Sequence, residues 1–334
     1  MNVSVVVPVY NGARHVRQTL DALARLEPAA GGAVEVVVVD DGSRDETPDI
    51  VAGYPFRLIR QANRGPASAR NAGWRASTGG VVYFTDSDCI PPPGWIGGLL
   101  GAFDDPDVGA AAGSYDLANP RRVLPRLIQA EILDRHRRMG DFVRAAGTYN
   151  MAVRREVLES VGGFDEGYPT ASGEDNDLSY RIQKAGRRIA FRPACRVAHH
   201  HPERVGKYLK SQFVHGYWRS RLYRRHPEFL AGDDYTRKRD LLDAFLATCA
   251  VLLVPFSVWH PLPIGVSLLF VLGVLVLVEA FTSGRLALAG RDWALLPAGA
   301  AILTARAFVR AAGWYWGLAA MLGPGGKSNG GVRR

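Results

Sequence analysis

Cysteine is scarce: three occur in 334 residues, at positions 89, 195 and 249. They are far apart and odd in number, which argues against a disulfide framework or a zinc knuckle and fits a reducing cytosol. The first strand begins at Val3 with no basic segment before it and no small-residue cleavage site after it, so no signal peptide is expected. There is no internal repeat. The net charge of +9 comes with no RNA- or DNA-binding signature, so nucleic acid is not an expected partner. Most of that charge is arginine, and much of it falls between Arg204 and Arg239, just ahead of the most apolar stretch of the chain. An anionic membrane surface accounts for it better than a nucleic acid does.

Apolar residues make up 47% of the chain, enough for a sizeable core and too many for general disorder. Residues 3–9, 34–39, 56–60 and 81–85 read as strands, the first two as β-branched runs buried on both faces. Residues 16–26, 47–52 and 67–77 carry helical spacing between them. Alternating strands and helices imply an α/β domain with a mainly parallel sheet, whose ligands bind at the carboxyl ends of the strands.

Three strands end in polar residues there: Tyr10-Asn11, Asp40-Asp41 and Asp86-Ser87-Asp88. Asp86-Ser87-Asp88 leaves the strand 81–85. Two carboxylates at this spacing can hold a hard divalent cation while water and phosphate oxygens complete its shell. Without partners the same pattern is a turn capped by aspartates. Asp40-Asp41-Gly42-Ser43 ends the strand 34–39. Asp41 can accept hydrogen bonds from a nucleobase or ribose, or close an Asx turn. Asp45 and Thr47 read as the cap of the next helix. In 63–74 (NRGPASARNAGW), Gly65 and Pro66 open a helix with free N–H groups and two arginines near its start. That suits a diphosphate, and Arg70 is the residue singled out.

A second acidic cluster, Glu174-Asp175-Asn176-Asp177, opens a helix that runs to Gly186. Asp177 reads as a helix-terminal acid. Glu174 and Asp175 are expected just before the first turn, where a carboxylate can face an open site as general base. His199-His200-His201 follow the strand 189–191 and Pro193. Neighbours on a strand alternate sides, so the three cannot all face one metal. One of them completes the Asp88 site, or all three sit in a solvated loop.

Taken together these segments resemble the family 2 glycosyltransferases, which have the GT-A fold. The resemblance runs over residues 3–202: VVVPVYNG at 5–12, VVVDDGSRDET at 37–47, NRGPASARNAG at 63–73, the Asp-x-Asp with Pro93 and Trp95 after it, GTYNMAVRREVLESVGGFDE at 147–166, GEDNDLSYRIQKAG at 173–186, and PACRVAHHH. Each is weak alone, and their order is specific. The resemblance implies a GT-A, Rossmann-like catalytic domain over 1–202 that binds a nucleotide-sugar. It implies that Pro8 and Tyr10 pack against the nucleobase, Asp41 binds its polar edge and Arg70 lies near the diphosphate. Asp86 would touch the ribose or donor sugar, and Asp88 would ligate Mg²⁺ or Mn²⁺ with His199, His200 being the competitor. Asp175 would deprotonate the acceptor hydroxyl, with Glu174 beside it. Transfer would be one in-line displacement, inverting the anomeric centre. Processive members carry a Q-x-x-R-W motif, and this chain has none; Gln212 with Trp218 and Arg219 has the wrong spacing. One sugar per acceptor is therefore expected, with a role in cell-envelope polysaccharide or glycolipid synthesis. A polyprenyl-phosphate sugar synthase and a non-catalytic nucleotide-sugar scaffold are the alternatives.

Residues 203–240 read as basic, amphipathic linker helices at the membrane interface. Residues 241–259 and 262–281 are each long enough to cross a bilayer, with Trp259, Pro261 and Pro263 at the turn between them. Residues 293–322 are expected to lie in the interface, with a third membrane helix as the alternative. Arg306 and Arg310 would each cost roughly 2.5–3.5 kcal/mol mid-bilayer, which the leucines, isoleucine, phenylalanine and valine of that stretch do not offset. Residues 324–334 read as a flexible basic tail. The positive-inside rule puts the catalytic domain on the cytosolic side. The expected location is the inner (cytoplasmic) membrane, with membrane lipids and a lipid-linked or glycan acceptor as partners.

Overall fold

The computed structural model describes residues 2–28, 32–230, 232–234, 236 and 238–322. The expected tail, 324–334, lies outside the described residues. The chain divides into two compact units. Of the described residues, one holds those up to Ala118 together with Arg135–His200; the other holds Asn119–Asp134 together with those from His201 to Leu322.

The first unit is built on an eight-stranded sheet: β1 (Val3–Val9), β2 (Val34–Asp40), β3 (Arg57–Arg60), β4 (Val81–Thr85), β5 (Cys89–Ile90), β6 (Val108–Leu117), β7 (Asn150–Arg154) and β8 (Arg188–His199). The helices α1 (Val16–Leu23), α2 (Thr47–Ala52), α3 (Pro66–Ala76), α4 (Trp95–Leu100), α6 (Arg155–Val161) and α7 (Glu174–Lys184) connect them. The order across the sheet is β3-β2-β1-β4-β7-β6-β8-β5. The β3-β2-β1-β4 half is parallel, as the alternation of strands and helices implied. The other half is mixed: β7 runs antiparallel to both β4 and β6, while β6 and β8 are parallel. All seven residues of β1 are buried, because strands flank it and helices cover it. Pro8 is tolerated in this central strand because the pairing with β4 ends at Val6↔Phe84, two residues earlier.

β8 is longer than the sequence suggested. A proline cannot donate to a ladder, and at Pro193 the pairing breaks: Gly113 faces Arg192, but Ser114 faces Arg196. The strand then resumes and carries His199 to its last position, where it pairs with Cys89 of β5.

The second unit is helical. It contains α5 (Val123–His136) up to Asp134, α8 (Val205–Arg225), α9 (Lys238–Ser257), α10 (Pro261–Gly290) and α11 (Leu295–Leu322). Residues 119–134, expected within the catalytic domain, thus belong with the later helices. Leu127 of α5 is fully buried among Leu286, Ala287, Leu295 and Leu303. Among the described residues, three helices are long and apolar enough to cross a membrane: Arg239–Ser257, Leu262–Gly290 and Leu295–Leu322. The expectation of an interfacial third helix assumed two unpartnered arginines. Instead Arg306 is buried and donates to Glu131 Oε2 at 2.6 Å and Tyr208 Oη at 3.3 Å, and Arg310 donates to Gln212 Oε1 at 2.7 Å. Paired charges do not carry the cost of lone ones. Gly216 and Gly313 let α8 and α11 touch backbone to backbone; a Cβ at Gly313 would stand 2.1 Å from the Phe213 carbonyl.

Candidate active site

The loops leaving β1, β2 and β4 interlock. Asn11 N donates to Ser43 Oγ at 2.8 Å, Arg44 N to Asn11 Oδ1 at 2.8 Å, and Thr19 Oγ1 to the Ser87 carbonyl at 2.9 Å. Asp45 makes the expected turn, accepting from Thr47 N at 3.1 Å and Thr47 Oγ1 at 2.5 Å. Pro8 is buried in the sheet, and Tyr10 is half-buried at its mouth. Asp41 is 3% exposed and already well used: its carboxylate accepts from Gln61 Nε2, Arg64 N and Gly65 N, each at 2.8 Å. These bonds fix residues 61–65 and hold Gly65 at φ +94°, a conformation glycine adopts freely, ahead of Pro66 at the first position of α3.

Arg70 lies in the interior, 3% exposed. Its Nη1 meets Glu174 Oε1 at 3.0 Å and its Nη2 meets Asp86 Oδ1 at 2.8 Å. One guanidinium therefore joins the acids at the end of β4 to those at the start of α7. Glu174, 3% exposed, also accepts from Ser172 N at 2.7 Å. Burial and the adjacent Asp175 charge push its carboxyl up to about 7, against the pull of Arg70.

The α7 helix starts two residues earlier than the sequence suggested. Gly173, at φ 96°, is its N-cap, so Glu174 and Asp175 stand in the first turn. Asp175 is half-buried. Asp177 is in the first turn as well, as a helix-terminal acid should be; it is fully buried and takes Arg181 Nε at 2.7 Å, one turn along the helix.

The two-residue β5 explains the other carboxylate site. Pairing Cys89 with His199 sets Asp88 Oδ1 3.3 Å from His199 Nε2. Burial works against the charge on Asp88, but His199, the His15 charge and a backbone hydrogen bond together outweigh it and hold the carboxyl below its usual range. Cys89 Sγ lies within 4.8 Å of both groups. Burial and the charges of Asp88 and Asp86 raise that thiol well above its usual range, so it keeps its proton. The donor set that fits a cation is thus one carboxylate and one imidazole with side chains 39% and 16% exposed, which suits a hard divalent ion that keeps oxygen ligands from a substrate. The other two histidines diverge. His200 Nε2 meets Gln18 Oε1 at 2.7 Å and its ring stacks on His15 at 4.1 Å, while His201 Nε2 meets Gln129 Oε1 at 3.0 Å. His15 and Gln18 were not singled out from sequence; their spacing of three, on one face of a helix, was the available signal.

The description "Glycosyl transferase family 2" matches residues 4–162. Glycosyltransferase AglE of Haloferax volcanii is 32% identical over 233 residues, 63% of this chain and 70% of that protein. The chain belongs to glycosyl transferase family 2. The pre-mycofactocin glycosyltransferase of Mycobacterium tuberculosis is 33% identical over 251 residues, 68% of this chain and 48% of that one, so this chain spans about half the length of that relative. Among solved structures, the mannosyltransferase PcManGT of Pyrobaculum calidifontis, in complex with GDP-Man and Mn²⁺, superposes with a TM-score of 0.60 at 21% identity, covering 95% of this chain and 87% of that one. That likeness places this family 2 chain in the same GT-A fold.

Proposed function

We propose that this chain is a metal-dependent, inverting glycosyltransferase that moves one sugar from a nucleotide-sugar to an acceptor hydroxyl at a membrane. The observation that carries the reading is the meeting of Asp88 and His199, from segments far apart in the sequence, at 3.3 Å and at the strand ends where nucleotides bind in such sheets. Mg²⁺ or Mn²⁺ held there would neutralise charge on the departing nucleoside diphosphate. Tyr10 borders the nucleobase, with Pro8 beneath it and Asp41 shaping the pocket wall. Asp86 contacts the ribose or the sugar. Asp175 takes the proton of the acceptor hydroxyl as that oxygen attacks the anomeric carbon, and the bond to the diphosphate breaks on the opposite face.

The acceptor is lipid-linked or otherwise membrane-proximal, because three helices of the same chain are long and apolar enough to span a bilayer. The arginines ahead of them favour the cytoplasmic membrane, with the catalytic unit on the cytosolic side. A polyprenyl phosphate is a second acceptor class. The exposed Arg204, Lys207 and Lys210 at the start of α8 favour it, as cations for a phosphate.

Full-length protein incubated with a panel of nucleotide-sugars and lipid extract, with and without chelator, tests the reading. Metal-dependent release of nucleoside diphosphate with a new glycolipid in the mass spectrum is expected. Undiminished transfer in the presence of chelator overturns the metal assignment, and no turnover of any donor overturns the enzyme.

A further inference from the structure

The expectation for Arg70 was a place near the donor diphosphate, yet both of its terminal nitrogens are spent on carboxylates and the side chain is 3% exposed. Its face of α3 has one common object. Asn71 Nδ2 donates to the Phe164 carbonyl at 2.9 Å and to Glu166 Oε1 at 2.8 Å, and Phe164 N donates back to Asn71 Oδ1 at 2.9 Å. Trp74 Nε1 holds that same Asn71 oxygen at 2.9 Å. The Arg70 guanidinium stands over the Phe164 ring, 5.6 Å from its centroid. At the start of α3, Gly65 lies so close to residue 169 that a Cβ would be 2.3 Å from the Pro169 carbonyl oxygen. The helix therefore grips the whole segment leading into α7, and Arg70 holds its last point, Glu174. The other end of the same guanidinium holds Asp86.

We propose that Arg70 is a positioning residue rather than a phosphate ligand: it ties Asp86, at the donor, to the first turn of α7, on which the base Asp175 stands, so that one buried fork sets the distance between donor and base. This rests on the roles given above to Asp86 and Asp175. The fork geometry matters because a guanidinium presents two parallel donor edges to two acceptors at once, whereas an ammonium is a point charge on a flexible stem. A shift of about 1 Å in a reacting group costs about 10²-fold in rate.

The test uses the full-length protein and three variants, Arg70→Lys, Glu174→Gln and the double variant. Turnover is measured at saturating donor, and binding of nucleoside diphosphate is compared with nucleoside monophosphate by calorimetry. Arg70→Lys and Glu174→Gln should each lower kcat about 10²-fold, and the double variant no more than either, since all three break one linkage. The ratio of diphosphate to monophosphate affinity should stay within about twofold. A tenfold fall in that ratio with kcat preserved would make Arg70 a phosphate ligand and overturn the proposal, as would losses that multiply in the double variant. Should Arg70→Lys fail to fold, Glu174→Met, which leaves Arg70 Nη1 no acceptor at this position, decides: full turnover in it removes the tether. Asp175→Asn separates this from the base assignment. If it is fully active while the Arg70 and Glu174 variants fall together, the base lies elsewhere and the tether stands; if it alone is inactive, the tether is wrong.

Discussion

Buried arginine–carboxylate pairs occur in both units, with opposite outcomes. In the α/β unit Arg70 joins a sealed acid, Glu174, to Asp86, whose side chain is 33% exposed, and the neighbouring Asp88 is 39% exposed. In the helical unit Arg306 and Glu131 are 5% and 13% exposed, and Arg239 closes on a Glu279 that is fully buried. The first arrangement holds acids at the edge of an opening. The second hides charge among helices otherwise apolar enough for a bilayer, where an unpartnered charge is costly. The lesson is that pairing alone says nothing about purpose; what matters is whether one acid of the set still reaches solvent.

That contrast predicts a separation of activity from stability. Asp88→Ala should abolish divalent-dependent transfer with the thermal midpoint unchanged, because a half-exposed carboxylate adds little to the core; near-normal turnover by a radiolabelled-donor assay would break the comparison at its strongest point. Asp175→Asn should lower kcat about 10²- to 10⁴-fold, the usual contribution of a general base, while nucleotide affinity holds steady in calorimetry. In the helical unit the order reverses. Arg306→Met leaves Glu131 buried without its partner and should cost about 3–5 kcal/mol of stability in detergent, whereas Arg306→Met with Glu131→Leu should recover most of that loss. Nucleotide binding should survive in the double variant, and its loss there would show that these charges serve the site.

The smallest expected effect concerns Glu174. Its folded pKa of about 7 lies above the ordinary glutamate value of 4.5, so the folded chain binds more protons between those values than the unfolded one. Stability from this group is therefore present below about pH 4.5 and lost as pH rises through 7, by up to about 3 kcal/mol at 1.36 kcal/mol per unit. Glu174→Gln should flatten that slope in chemical denaturation at several pH values, and an unchanged slope would assign the titration to another group.

The parallel half of the sheet was legible because β1, β2 and β4 are β-branched or aromatic runs stopped by turn residues. The strand β6 was not, since its core reads Gly-Ala-Ala-Ala-Gly, with little to mark a strand. Small residues are needed there: a Cβ at Gly113 would sit 2.1 Å from the Cys195 carbonyl oxygen. The acids and histidines of the site could be named from order and motif. Their division of labour could not. The divergence of the three histidines depends on β8 resuming after Pro193, and the engagement of Arg70 depends on Glu174, 104 residues away. The reading of 293–322 likewise weighed its arginines without distant partners, and Arg306 finds Glu131 across 175 residues.

That last separation carries a consequence for how the chain is made. The α5 helix leaves the ribosome well before the helices that enclose it. Its Leu127 waits for Leu286, Leu295 and Leu303, and its Glu131 waits for Arg306, 175 residues later. At about 5–20 residues per second, that interval is roughly 10–35 s. Throughout it the nascent chain carries an incomplete helix whose buried face has nothing to cover it. The strands β7 and β8, which come after α5 in sequence, must close the sheet while that face stays exposed.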